Sequence, residues 1–315
     1  MRGRWVLGLV AALAVVALVG VQVAREWDRL PLDAFHLDPA PLALAWLLQT
    51  AGWLVVVDTW GRMMHAVGGR APFGRHVQVY AYTALAHLLP GSYWTPASRV
   101  GFYRHLGVGL LPVSATVVLE WLLLGLAGLV LYGATAPFAR ALPAAFAPKL
   151  VVVGVVGLVL LHPSTFARAA GFAAARLRQA GEPPRLAARQ IATWFLRELG
   201  VLVLSGLAFY LVMVAVSPAA SVADALSVSA LGVAVSNLLA WLPTTSFIKD
   251  GAMVLLLAPV YGSAAVALGV IVVWRLWMVA VQVSWALLVT LVMGRIRPPW
   301  AAALAAEPEE EPWTI

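Results

Sequence analysis

The sequence predicts an all-α membrane protein with about six transmembrane helices and two re-entrant broken hairpins, arranged as an inverted repeat. Hydrophobic residues make up 62% of its 315 residues and charged residues only 11%, a composition that excludes an ordinary soluble domain. Several apolar runs approach the roughly 20 residues that a helix needs to cross a membrane. Two further apolar stretches are interrupted by Pro90 and Pro243, 153 positions apart in similar settings. Interrupted segments at matching places in two halves are typical of membrane transporters.

Six continuous apolar runs define the predicted transmembrane helices. They cover residues 5–24, 41–61, 107–133, 149–166, 194–216 and 263–293. The first run begins after two Arg residues, as a signal peptide does, but its long apolar core and the lack of a small-residue cleavage site favour an uncleaved signal anchor. We expect one polytopic membrane domain over residues 1–300. The Pro- and Glu-rich tail, residues 301–315, is predicted to be disordered.

The interrupted stretches, residues 77–94 and 225–261, lie between the second and third spans and between the fifth and sixth. They are too broken to cross as simple helices, because Pro removes a donor and blocks helix continuation. Non-helical backbone at membrane depth is tolerated only beside protein or a watery cavity. We therefore predict two re-entrant hairpins that line a cavity. The predicted hairpin breaks are Pro90, Gly91, Pro96, Pro243 and Gly251.

An offset of 153 residues relates the two predicted halves, 1–145 and 146–300. Added to the span 41–61, the offset gives 194–214, and added to 107–133 it gives 260–286. Both results coincide with spans found independently. Three crossings in each half give the halves opposite orientations, which makes an inverted repeat whose bundles can rock to expose a central site alternately.

Basic residues predict the orientation of the chain in the membrane. Most of its 21 Lys and Arg residues flank the spans on one side, which the positive-inside rule assigns to the cytoplasm. Both termini are therefore predicted to be cytoplasmic, in a bacterial-type inner membrane. The net charge of +7 is explained by Arg beside anionic lipid headgroups, so no nucleic-acid partner is implied.

Glu120 and Arg275 are charged residues in the middle of predicted spans. A charge at the bilayer centre costs about 2.5–3.5 kcal/mol on insertion scales, so each needs a partner or water. They are 155 positions apart and therefore occupy almost the same place in opposite halves, with opposite signs. We predict that they approach one another or the same substrate. The alternative is a buried ion pair or strut that only fixes helix packing.

Arg99 and Lys249 form a second matched pair, each a few residues beyond a Pro break. A cation beside helix ends with free N–H groups suits a phosphate-bearing headgroup. Two alternatives stay open: Arg99 reaches the membrane interface by snorkelling, and Asp250 neutralises Lys249 locally. His87 and Asn237 lie near the breaks, where they can hydrogen-bond a substrate or cap carbonyls freed by Pro.

No enzyme signature is present. The six His residues have no metal-binding spacing, and the sequence contains no P-loop, no G-x-S-x-G and no G-x-G-x-x-G. We therefore predict no catalytic residue, metal or cofactor. A membrane-embedded transferase acting on a lipid-phosphate substrate stays open, with Glu120 as its deeply placed base. A non-catalytic scaffold for cell-envelope enzymes is a further alternative.

Two blocks of the sequence resemble the lysylphosphatidylglycerol synthase transmembrane-region family, also called flippase-like membrane proteins. The first, YTALAHLLPGSYWTPASRVGFYRHLGVGLLPVSATVVLEWLLLGLAGL, has a Pro-Gly break, an Arg, a Leu-Gly-Val stretch and a span that bears Glu. The second, NLLAWLPTTSFIKDGAMVLLLAPVYG followed by WRLW, has a Pro break, an acidic residue with Gly, and an Arg in the next span. We expect a stand-alone member without the family's aminoacyltransferase domain.

The resemblance implies movement of an anionic phospholipid or a polyprenyl-phosphate-linked lipid between leaflets, with membrane lipids as partners. The two hairpins would enclose a polar slot for the headgroup while the acyl chains stay in the bilayer. Where relatives carry Gly-rich runs this chain has SYWTPAS and TTSFIK, and its Asp250 stands where Glu is usual. These departures leave the cargo open. The residues that match the two blocks are Pro90, Gly91, Arg99, Glu120, Pro243, Asp250, Gly251 and Arg275.

Overall fold

The chain is a helical protein, and its computed structural model describes most of its length. The described residues are 38–88, 94–140, 147–160, 162, 164–165, 168, 186–217, 219–240 and 245–294. No β-strand occurs within these ranges. The predicted first span, the acidic tail and both termini lie outside them.

Nine helices follow one another through the described residues. They are α1 (Pro39–Ala66), α2 (Phe73–Ala84), α3 (Trp94–His105), α4 (Leu110–Thr135), α5 (Ala147–Leu160), α6 (Ala188–Val216), α7 (Val222–Leu238), α8 (Thr245–Tyr261) and α9 (Ala264–Met293). A turn of 3-10 helix, Leu85–Leu88, extends α2, and another, Ala136–Phe138, extends α4.

Helices α1, α4, α6 and α9 are long and apolar enough to cross a membrane. Their 26 to 30 residues correspond to about 39–45 Å at a rise of about 1.5 Å per residue, which exceeds the roughly 30 Å of a hydrocarbon core. They coincide with the predicted spans at 41–61, 107–133, 194–216 and 263–293. The prediction of an all-α protein with helices able to span a membrane is therefore confirmed. The predicted span at 149–166 corresponds in part to α5, which has 14 residues.

Four shorter helices follow α1 and α6 in pairs. Helices α2 and α3 have 12 residues each, and α7 and α8 have 17 each. Their lengths of about 18 and 25 Å fall short of a hydrocarbon core. Both pairs begin a few residues before the interrupted stretches predicted from the sequence, and the break residues Pro90, Gly91 and Pro243 lie outside the described residues.

Pro96 and Gly251 lie in helices, which corrects their assignment as breaks. Pro96 is in the first turn of α3, where the missing N–H of a Pro leaves no intrahelical hydrogen bond unmade. Gly251 is exposed within α8, and an added Cβ there would meet no atom within 4 Å. Each therefore belongs to the helix after the break, and neither interrupts a helix.

Local chemistry explains where several helices begin and end. The Asp38 carboxylate accepts a hydrogen bond from the backbone N–H of Ala40 at 3.0 Å and starts α1. Ser221 and Asp224 cap α7 reciprocally, since each accepts a hydrogen bond from the backbone N–H of the other. Gly294 ends α9 with a φ of 75°, a conformation that glycine adopts without strain. Such caps satisfy backbone groups that a helix end leaves unpaired.

The helices pack in a pattern that repeats between residues 39–135 and 188–293. In the first range α1 contacts α2, α2 contacts α3, and α3 contacts α4; in the second, α6 contacts α7, α7 contacts α8, and α8 contacts α9. Between the ranges, α1 packs along α6, α4 packs on α7, and α9 packs on α2. Each first short helix therefore lies against the last long helix of the other range.

Polar contacts show which helix ends meet. The backbone N–H of Arg140, just after α4, donates to the Asp224 carboxylate at 2.7 Å, near the start of α7. The Gln78 amide of α2 donates to the carbonyl oxygens of Met293 and Gly294 at 3.2 and 3.1 Å, at the end of α9. Helix α7 therefore starts near the end of α4, and the middle of α2 lies against the end of α9.

A close approach of α4 and α7 predicts the effect of one substitution. A Cβ added at Gly128 would come within 2.6 Å of the carbonyl oxygen of Ala230, so Gly128→Ala must push the two helices apart. We expect it to lower the free energy of unfolding by about 1–3 kcal/mol, as overpacking does. Chemical denaturation in detergent, followed by circular dichroism, measures the change.

Gly200→Ala is the matched control, because a Cβ at Gly200 on α6 would meet no atom within 4 Å. It should leave the stability unchanged or raise it by up to about 1 kcal/mol, since Ala favours a helix over Gly. Equal stability of the two variants would contradict the close packing of α4 on α7.

Candidate functional site

The centre of the candidate site is an ion pair between Arg99 on α3 and Glu120 on α4. One Arg99 nitrogen lies 2.5 Å from a Glu120 oxygen, and the two side chains are only 7% and 3% exposed. The Tyr80 hydroxyl of α2 donates to the other Glu120 oxygen at 2.6 Å. The Arg99 guanidinium carbon lies 4.5 Å from the centre of the Trp60 ring and 4.1 Å from that of Tyr80. The cation is thus enclosed by one carboxylate and two aromatic faces.

A chain of hydrogen bonds holds the Trp60 ring beside Arg99. The Trp60 indole N–H donates to the Tyr103 hydroxyl at 2.7 Å, and Tyr103 in turn lies 2.6 Å from Nδ1 of His76. Burial lowers the pKa of His76, opposed by a hydrogen bond to the backbone of Ala71. Because an indole N–H can only donate, the Tyr103 hydroxyl proton is available to a neutral His76. These contacts join α1, α2 and α3 around the ion pair.

A second ion pair joins Asp250 on α8 to Arg275 on α9. Its residues occupy places equivalent to the first: Asp250 lies 151 positions after Arg99, and Arg275 lies 155 positions after Glu120. The signs are exchanged, because in the second pair the shorter helix carries the acid. Each charged residue of the two predicted central spans thus has a counter-charge from its own half.

This pairing revises two expectations from the sequence. Glu120 and Arg275 were expected to approach one another or the same substrate. They do not pair with one another, since Glu120 pairs with Arg99 and Arg275 with Asp250; a shared substrate stays a prediction. Asp250 was considered as a local partner of Lys249, yet successive residues of an α-helix point about 100° apart. The Asp250 carboxylate is therefore directed to α9 rather than to its neighbour.

The first ion pair borders a cavity of about 260 Å³. Tyr80, Arg99 and Glu120 contribute its charged and phenolic groups, and Ser236 and Asn237 of α7 also line it. The Asn237 amide donates to the carbonyl of Val233, one turn earlier in the same helix, at 2.9 Å, and the residue also borders the cavity. Pro96 also lines it, whereas the side chain of His87 lies outside those described.

A second cavity of about 430 Å³ is lined by Lys249, Arg275 and Gln282. The two cavities share Ser205 of α6 and Ser236 of α7 as lining residues, so they adjoin near the middle of the bundle. Arg275 is 47% exposed, in contrast to 7% for Arg99. The second ion pair is therefore open to its surroundings while the first is closed.

Two residues at this site were missed by sequence reasoning: Tyr80 and Glu198. Glu198 on α6 is fully buried, and neither of its carboxylate oxygens has a hydrogen-bond partner within the described residues. The predicted span began at residue 194, which placed Glu198 close to the interface, but α6 begins at Ala188. The sequence feature that could have identified Glu198 is a carboxylate within an apolar run. Nothing in the sequence distinguished Tyr80 from an interfacial aromatic.

The chemistry available here is that of cations and carboxylates. Among the described residues, no group of three His, Cys, Asp or Glu side chains is arranged to hold a metal ion. Arg99, Lys249 and Arg275 supply donors that suit the oxygens of a phosphate group. The arrangement can therefore bind an anion by exchanging a carboxylate for it.

The buried ion pair predicts a large stability difference between two Arg substitutions. Arg99→Met leaves the Glu120 carboxylate buried without its counter-charge, and we expect the free energy of unfolding to fall by about 3–5 kcal/mol. Combining it with Glu120→Leu should recover much of that loss. Chemical denaturation in detergent measures both variants.

Arg62→Met is the control, because Arg62 pairs with Asp58 while 60% exposed, and such pairs contribute about 0–1 kcal/mol. If Arg99→Met cost no more than Arg62→Met, the Arg99–Glu120 contact would not be a buried pair.

No protein-family model matches the chain, and no curated protein matches it either. The resemblance to flippase-like membrane proteins therefore stays a prediction.

Proposed function

We propose that this protein moves an anionic phospholipid or a polyprenyl-phosphate-linked lipid between the leaflets of a bacterial-type inner membrane. The observation that carries the proposal is the pair of charged contacts, Arg99–Glu120 and Asp250–Arg275, beside two adjoining cavities. Charged groups inside an apolar helical bundle are costly and are typical of substrate pathways. A phosphate-bearing headgroup is the ligand that their cations fit best.

The proposed architecture is an inverted repeat of α1 to α4 and α6 to α9. The same order of long, short, short and long helices in both halves supports it. So does the equivalence of the α4–α7 and α9–α2 contacts. Helices α2 and α3 would enter from the cytoplasmic side, where both termini would lie, and α7 and α8 from the opposite side. These helices are too short to cross the hydrocarbon core, so each pair would return to the side of the membrane from which it entered.

The two sites differ in charge and exposure, which supports alternating access. In the first cavity Arg99 is balanced by Glu120, whereas the second has two cations, Lys249 and Arg275, for the single acid Asp250. An anionic headgroup would therefore enter at the half-exposed Arg275 and reach Arg99 when the bundles rock. At each pair the phosphate would take the guanidinium from its carboxylate, using the two-pronged geometry that Arg offers to phosphate.

Apolar residues beside Arg275 fit the acyl chains of such a lipid. Leu276 is exposed, and Val279 and Val283 lie on the exposed face of the same helix. Val279 also lines the second cavity, so a headgroup at Arg275 would leave its chains along this face, in the hydrocarbon. This arrangement keeps the apolar part of the lipid out of the polar slot.

The transferase alternative has less support. It needs Glu120 as a general base, but both Glu120 oxygens are engaged, one by Arg99 and one by Tyr80. The scaffold alternative has no specific observation in its favour.

Reconstituted vesicles test the transport proposal. We expect wild-type protein to move fluorescent phosphatidylglycerol between leaflets, measured by chemical quenching of the outer leaflet. Arg99→Ala and Arg275→Ala should each slow movement by about tenfold or more, because a hydrogen bond to a charged group contributes about 1.5–3 kcal/mol.

Arg62→Ala should stay within about twofold of the wild type, because Arg62 belongs to an exposed pair outside both cavities. Unchanged rates for Arg99→Ala and Arg275→Ala would remove those residues from the proposed pathway.

The lack of cysteine makes the proposed topology directly testable. Arg104→Cys and Ala264→Cys place single thiols at exposed positions near the ends of the two short-helix pairs. In intact cells a membrane-impermeant maleimide should label Ala264→Cys at once, and Arg104→Cys only after permeabilisation. Labelling of both from the same side would contradict the inverted repeat.

A further inference from the structure

Glu198 on α6 is the one buried carboxyl group of the central region, among the described residues, that the proposed lipid slot does not use. It is 0% exposed, and neither of its oxygens has a hydrogen-bond partner in the described part of the chain. Glu120, in contrast, has an Arg99 nitrogen at 2.5 Å and the Tyr80 hydroxyl at 2.6 Å. The two carboxyl groups thus lie in the same interior with very different partners.

A buried carboxylate without a partner is unstable as an anion. Moving an ionised carboxyl group out of water costs several kcal/mol even after relaxation, and an ion pair or hydrogen bonds must offset that cost. Glu198 has neither within the described residues. Binding a proton removes the charge, so the carboxyl group is neutral in this conformation.

The charges that surround Glu198 are committed to other groups. Arg197, its neighbour on α6, pairs with Asp58 and donates to the Thr59 hydroxyl of α1, and Arg99 of α3 pairs with Glu120 of α4. Tyr80 of α2 donates to Glu120. The remaining charged groups on helices that pack against α6 are also paired: Asp224 of α7 with Arg140, and Arg275 of α9 with Asp250.

A charge on Glu198 would act on the first ion pair. Its carboxyl group lies within Coulombic range of Glu120, Arg197 and Arg99, and within range of the Tyr80 hydroxyl. A negative charge on Glu198 would repel Glu120 and compete for the positive field of Arg99. An incoming phosphate would meet two negative groups instead of one, so its affinity for Arg99 would fall.

We propose that Glu198 is a proton-binding site that couples proton movement to anionic headgroup binding at Arg99. The proposal rests on the lipid-moving function proposed above. In the coupled step the headgroup enters the slot while Glu198 carries its proton, and Glu198 releases that proton to water on the other side when the headgroup leaves. Glu198 then takes up a new proton from water on the first side as the empty slot returns. By linkage, the headgroup raises the affinity for the proton as much as the proton raises the affinity for the headgroup. Proton and lipid anion therefore move in the same direction.

Headgroup binding as a function of pH tests the coupling. The probe is dihexanoyl phosphatidylglycerol, titrated by calorimetry into the full chain in detergent. Above the pH at which Glu198 loses its proton, the wild-type affinity should fall by about tenfold per pH unit, the slope for one linked proton. Glu198→Gln keeps the shape of the neutral acid and binds no proton, so its affinity should be flat with pH.

Asp38→Asn is the matched control, because it also removes one negative charge but at the exposed N-cap of α1, a position that Asn caps as well as Asp. It should keep the wild-type slope. An equal slope in the wild type and Glu198→Gln would overturn the coupling while leaving the transport proposal intact.

Infrared spectroscopy supplies a readout that needs no lipid. Wild-type protein and Asp38→Asn should show the carbonyl stretch of a protonated carboxylic acid at neutral pH, shifted in deuterated water, and Glu198→Gln should lack it. If the wild type lacks this band, Glu198 is not protonated and the proposal fails. If the band is present but no lipid binds, the transport proposal and the coupling fail, and the proton site alone stands.

Discussion

A guanidinium and a carboxylate held 2.5 Å apart inside an apolar bundle are the interaction on which the rest of this structure depends. Removing either charge from water is expensive, so the pair is stable only if helices α3 and α4 keep their side chains in contact. Tyr80 and Trp60 complete the enclosure from α2 and α1. Side chains from four helices thus meet at one buried ion pair. The short helices α2 and α3 are needed because they carry Tyr80 and Arg99.

The second ion pair differs from the first in a way that would set the order in which an anion meets the two sites. It repeats the first on equivalent helices with the signs exchanged, but it is half exposed and has Lys249 beside it. An anion would therefore meet an open, net positive site before a closed, balanced one. Buried pairs are weak sources of stability and sensitive to the loss of a partner. A ligand that competes for one residue of such an ion pair can shift the equilibrium between two conformations in which the same helices pack differently.

Much of the fold could be predicted from the sequence, because apolar length alone identifies α1, α4, α6 and α9. Charge inside an apolar run likewise indicated Glu120 and Arg275. Their partners could not be predicted, since the Arg99–Glu120 contact depends on how α3 packs on α4. Glu198 was missed because α6 begins earlier than its apolar run, at Ala188, which moves that carboxyl group deeper. Gly251 was misassigned because Gly is often found where a helix is interrupted, whereas here it lies within a continuous helix.

The most direct measurement of the central claim is an experimental structure of the full chain in lipid nanodiscs with phosphatidylglycerol. We expect density for a lipid phosphate within hydrogen-bond distance of the Arg275 or Arg99 guanidinium, with the matching carboxylate displaced from it. Lipid phosphate found only on the outer surface of the bundle, with both ion pairs intact and both cavities filled by side chains, would contradict it.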